Sequence, residues 1–141
     1  MAFFEDSPIT RMTQKEKEEL ILRVSQQCHQ MNIHVLTFLN KVNIYMKNCN
    51  FHVLLKLTFE ITMDIIDSKT LVNHVYSKGG FGLFNENELI SLDSLLHYEI
   101  KDMLNNFHRS IEECLELQKR NYNIVNAIRL QVLQALNCLT D

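Results

Sequence analysis

Turn-forming residues are scarce in this sequence. Its 141 residues include three Gly and one Pro. A β-sandwich or barrel needs many turns, and turns draw on Gly and Pro for their special backbone angles. Their scarcity disfavours both architectures and favours long helices with few connections. Trp is absent altogether. A secretory signal is not expected, because Met1-Ala2-Phe3-Phe4 leads straight into Glu5 and Asp6, with no basic start and no apolar run. No stretch approaches the roughly 18 uninterrupted apolar residues of a membrane span. The most apolar window, 124–139, is broken by Asn126, Arg129, Gln131, Gln134 and Asn137. Positive charge is not in excess either. The net charge is −3 and the isoelectric point about 6.1, so nucleic acid is not an expected partner.

Catalytic signatures are missing as well. No G-x-S-x-G elbow and no phosphate loop ending in G-K-S/T occurs. Gly79-Gly80-Phe81-Gly82 lacks the G-x-G-x-x-G frame and reads as a helix stop with a tight turn. Cys49-Asn50-Phe51-His52 has the C-x-x-H spacing of a zinc half-site, but a structural site needs a second such pair and none is present. Asp93 and His97 share a helical face, yet the Glu-x-x-His motif of di-metal bundles is absent. The sequence thus leads to no catalytic residue, no metal site and no cofactor. The four cysteines, Cys28, Cys49, Cys114 and Cys138, are far apart. Without a secretion signal they read as reduced thiols in a cytoplasmic or nuclear protein.

What is present has the composition of a globular protein, with 46% hydrophobic and 22% charged residues. Residues 1–12 read as an N-terminal tail and 13–141 as one helical-bundle domain. Thr13-Gln14-Lys15-Glu16 is a capping box. After it Ile21, Val24, Cys28, Met31, Val35, Phe38, Val42, Tyr45 and Cys49 recur in steps of three and four. That spacing predicts a rod of about 54 Å over 13–48. Leu20, Ile33, Leu36, Leu39, Ile44 and Met46 widen the stripe, which suggests a bundle core in preference to a narrow coiled-coil seam.

Residues 51–66 are read two ways. Phe51, Val53, Leu55, Leu57, Phe59, Ile61, Met63 and Ile65 alternate with mostly polar residues, the period of a strand. Phe51, Leu54, Leu55, Thr58, Ile61, Ile65 and Ile66 give a helical face instead. A strand needs a partner to satisfy its backbone, and 31–46 keeps no matching parity. A helix over 51–78 is therefore expected. The competing fold is α+β, with a hairpin within 31–66 turning at 47–50. Asn85 or Asn87 caps a third helix, whose buried face is Leu89, Leu92, Leu96, Ile100, Met103, Phe107, Ile111 and Cys114. The polar run Arg120-Asn121-Tyr122-Asn123 divides 86–119 from 122–139. The expected fold class is all-α, a bundle of three to four long antiparallel helices.

Two features point to binding. Phe3 and Phe4 are bulky aromatics on an acidic tail, natural anchors for a partner's groove. Phe81 and Phe84, in and after the glycine cluster, are the other candidate partner-binding residues. The apolar surface of the first two helices is also wide enough to leave a patch. The expected function is a non-catalytic intracellular interaction module, a helical scaffold or adaptor within a larger complex. The alternative is a groove protein of the viral type, binding an amphipathic helix of a host apoptosis or signalling factor. The expected partner is another protein, with a homo-oligomer also compatible.

Overall fold

The computed structural model describes residues 13–77 and 86–140. Among these the chain forms long helices and no strand. They are α1 (Gln14–Lys47), α2 (Phe51–Ser77), α3 and α4 (Tyr122–Leu139). α3 is continuous but changes its winding. It is α-helical over Glu86–Ser94, π-helical over Leu95–Ile100, and α-helical again over Lys101–Leu117. The expected all-α class therefore holds. The tail 1–12, the stop at Gly79 and a cap at Asn85 lie outside the described residues. Asn87 falls within α3 and is not its cap.

Thr13 caps α1 as expected, while Glu16 reaches back to the Thr13 hydroxyl and not to its backbone amide. Thr13 Oγ1 accepts from the Glu16 amide at 3.1 Å and donates to Glu16 Oε1 at 3.2 Å. The seam faces inward: Val24, Met31, Val35 and Phe38 are buried, while Ile21, Cys28, Val42 and Tyr45 pack partly buried against them. Of the residues that widened the stripe, Leu20 is buried and Met46 half-buried, but Ile33, Leu36, Leu39 and Ile44 are exposed. The reason is angular. At 100° per residue, Ile33, Leu36 and Ile44 fall on the side of the helix opposite the seam.

α1 ends in a Schellman turn. The Asn50 amide donates to the Tyr45 carbonyl at 2.9 Å, and the Cys49 amide to the Met46 carbonyl at 3.2 Å. Cys49 occupies the left-handed position with φ 54°. The turn excludes the hairpin, and α2 follows as a helix. Its buried face includes Phe51, Leu54, Thr58, Ile61, Ile65, Val72 and Val75. The alternating pattern fails where the two periods disagree, since Val53, Phe59 and Met63 are exposed. Two threonines fit into the interior by bonding back along the helix. Thr58 donates to the Leu54 carbonyl at 2.7 Å and Thr62 to that of Thr58 at 2.8 Å.

α1 packs on α2 and on the opening of α3, while α4 packs on α2 and on the closing segment of α3. Gln27 meets Ser68 and Gln30 meets Asp64, so α1 and α2 run antiparallel. Phe38 meets Phe107, and α1 also touches Glu86–Ser94. α1 has too few residues after Phe38 to reach that earlier segment, so α3 runs in the same direction as α1. The π turn keeps α3 facing inward. Leu92, Leu96 and Ile100 are spaced by two successive steps of four, which drift about 80° on an α-helix and much less on a wider turn. Leu92, Leu95, Leu96, Ile100, Met103 and Leu104 are all buried. On α4 the core face is Val125, Ile128, Val132, Ala135 and Leu139. The Lys69 ammonium of α2 donates to the Cys138 carbonyl near the end of α4, where a cation complements the helix dipole.

Candidate functional site

Three surfaces carry chemistry, and α1 contributes to each. The first is its outer face. Leu22, Ile33, Leu36 and Ile44 are 57%, 47%, 60% and 56% exposed. An isolated exposed Leu is ordinary, but a file of aliphatic residues along one helix marks a contact surface.

The second is a groove between α1 and α3. Phe38, Val42 and Met46 form one wall, Met103 and Phe107 the other, with Asn43, Asn106 and Ser110 at the rim. Its volume is about 170 Å³. Apolar walls with a polar rim suit one or two inserted side chains of a partner helix.

The third is a polar layer inside the α1–α2 contact. Asp64 is 7% exposed, and Ser68 is fully buried. Gln30 Nε2 donates to Asp64 Oδ1 at 2.9 Å, and Gln27 Nε2 to Ser68 Oγ at 2.8 Å. His34 Nδ1 faces Asp64 Oδ2, and neither atom has another partner. A proton on His34 Nδ1 makes the contact a hydrogen bond to the carboxylate, charge-assisted with a neutral ring as with a charged one. This is the arrangement of an oriented base. The cavity next to it, lined by His34, Thr37, Leu57, Glu60 and Ile61, is about 40 Å³. That is room for a water and not for a substrate. The layer ties α1 to α2 at Gln27–Ser68, Gln30–Asp64 and His34–Asp64, contacts that suit a role in setting the register of the two helices. Beside it opens a polar cleft of about 490 Å³ that includes Arg23, Gln26, Asp67, Thr70 and His74.

The candidate partner-binding residues Phe3, Phe4, Phe81 and Phe84 lie outside the described residues. Cys49 and His52 are both exposed, on the turn and the first turn of α2. Asp93 and His97 pair at 3.2 Å on the exposed side of α3. Among the described residues no three His, Cys, Asp or Glu side chains come together as metal ligands. No helix of the described residues is long and apolar enough to cross a membrane. Among the described residues no cysteine is in a disulfide. Burial pushes the Cys114 thiol above its ordinary value of 9.0, and the neighbouring Cys49 adds to the shift. Sequence reading missed the polar layer and the α1–α3 groove, both of which depend on register between helices. The outer stripe of α1 is visible in the sequence as surplus apolar positions, compatible both with core and with an exposed patch.

No protein-family model matches the chain, and no curated protein or solved structure matches it either.

Proposed function

We propose that residues 13–141 form one helical bundle serving as a non-catalytic protein–protein interaction module, a scaffold or adaptor subunit of a larger complex. The observation that carries this reading is the aliphatic file on the outer face of α1. Burying it against a partner would recover hydrophobic free energy that the folded chain leaves unused, on the order of 1 kcal/mol for each half-exposed side chain. Cysteines outside any disulfide accord with a reducing cytoplasmic or nuclear setting. The reading needs no cofactor, nucleic acid or membrane.

The test is a double variant, Leu36→Glu with Ile44→Glu, both at exposed positions. The unfolding midpoint should stay close to that of the parent chain. Affinity purification from cells expressing each form should lose its specific partners with the variant. Equal recovery from both forms would reject α1 as the docking face.

The α1–α3 groove favours a second reading, capture of an amphipathic helix from a host apoptosis or signalling factor by a viral-type groove protein. Its support is the apolar wall pair Phe38/Val42 and Met103/Phe107 beneath a polar rim. Fluorescence anisotropy with labelled amphipathic peptides tests it directly. Saturable binding weakened by Ser110→Arg at the exposed rim, with helical content unchanged, would select this reading over docking on the outer face of α1.

A further inference from the structure

We infer that a second copy of this chain covers the outer face of α1, the two α1 helices packing antiparallel about Ile33. This deepens the interaction-module reading and rests on it. Ile33 lies eleven residues from Leu22 and eleven from Ile44. Eleven residues are about three turns of helix plus 20°, so the three side chains lie almost on one line. A two-fold contact must be self-complementary, with residue i against j and j against i. With Ile33 on the axis, residues equally far before and after it meet. Leu22 then meets Ile44 at both ends, and Ile33 meets its own copy.

Charge gives the direction. The same register brings Glu19 of one copy to Lys47 of the other, on the same flank of the stripe. Both residues are exposed. The symmetry makes this pairing twice. A parallel arrangement would set Lys47 against Lys47 and Glu19 against Glu19, which costs free energy at both ends. Between the apolar contacts Gln26 meets Asn40, a polar pair that needs no charge. Arg23 and Lys41 flank the stripe and are two residues out of register, about 3 Å along the axis, so both heads can turn to solvent.

Size sets the strength. From Glu18 to Lys47 the strip is about 44 Å long and about 10 Å wide. That footprint falls below the roughly 800 Å² per partner of a tight interface. A weak dimer follows, with a dissociation constant in the micromolar range.

Sedimentation velocity on the full chain, from about 1 to about 500 µM, reads this directly. The mass should rise from 16.6 kDa toward twice that value. Ile33→Glu sets two carboxylates face to face on the axis and should weaken the dimer about 30-fold or more. Lys47→Glu should weaken it about 2- to 5-fold, as should Glu19→Lys. Combining the two should restore parental affinity. Circular dichroism checks each variant. If Ile33→Glu loses helix, the charge-swap set decides alone, because its residues are exposed. A monomer at every concentration, or a dimer indifferent to these changes, overturns the inference. A monomer that still recovers its partners through Leu36 and Ile44 leaves the interaction-module reading standing. Parent-like recovery by the Leu36→Glu/Ile44→Glu chain rejects that reading independently.

Discussion

Phe38 of α1 and Phe107 of α3 meet edge to face, their ring centroids 5.1 Å apart and their planes at 83°. Both rings are buried. The contact ties the longest helix to the second half of the chain at mid-height, well away from any fraying end. Phe38→Ala removes the ring and leaves Phe107 without its partner. The expected loss is about 3–5 kcal/mol, a large share of a domain's stability. Urea unfolding measures it. A loss below about 1 kcal/mol would show that the seam is surface and not core.

The His34–Asp64 contact should be the most costly polar interaction to break. His34→Ala leaves a buried carboxylate held by Gln30 alone. A hydrogen bond to a charged group contributes about 1.5–3 kcal/mol, and the partial exposure of the imidazole places the expected loss toward the lower half of that range. Asp64→Leu removes the charge along with its desolvation cost, so it should destabilise less than His34→Ala. Reversal of that order in chemical denaturation would contradict the register role given to the pair.

Cys49 occupies a left-handed turn that suits glycine. A side chain there costs about 1–2 kcal/mol, and the extra freedom of glycine in the unfolded chain returns about 0.4–1 kcal/mol of that. Cys49→Gly should therefore raise stability by up to about 1 kcal/mol, read as a higher thermal midpoint. A lower midpoint would mean that the cysteine makes a contact worth more than the strain.

The thiols should differ in reactivity. Burial first, and the Cys49 charge second, hold Cys114 above its ordinary value of 9.0, so less of it is thiolate at pH 8. A maleimide or iodoacetamide should modify exposed Cys49 well before Cys114, as peptide mass spectrometry would show. The same shift has a stability consequence. The folded state keeps the Cys114 proton more tightly than the unfolded state does. Its contribution is complete below the unfolded value and is lost as pH rises through the folded one. Stability should fall above about pH 9, and Cys114→Ala should flatten that fall. An unchanged alkaline slope would sink the assignment.

The sequence made some of this architecture visible and hid the rest for physical reasons. The α1 seam and its capping box depend on neighbours three and four residues apart, and both are legible in a string. For 51–66 the two periods competed, and the lack of a second strand decided correctly for helix. The exposed Val53, Phe59 and Met63 had lent the strand pattern its force. The π turn left a trace in the paired four-residue steps through Leu96, but the reading treated them as ordinary. Ile33, Leu36 and Ile44 widen the apolar stripe in a way that fits core or patch, and their angular position opposite Val24 and Phe38, which separates the two, follows from the sequence alone. The Gln30–Asp64–His34 cluster was not legible, because its members meet only through the register of two helices.

The wide turn at Leu95–Ile100 also has a bearing on insertion and deletion. A π turn is an α turn carrying one residue too many. Removing one residue there lets the backbone relax to ordinary winding, and the excess is absorbed on the spot. Tyr98 is 69% exposed and contributes little to the interior. Deleting it should leave Met103, Phe107 and Ile111 facing the core, whereas a deletion in the ordinary winding of Lys101–Leu117 would rotate every later side chain by about 100°. The segment is thus a place where the chain can change length by one residue without disturbing what comes after.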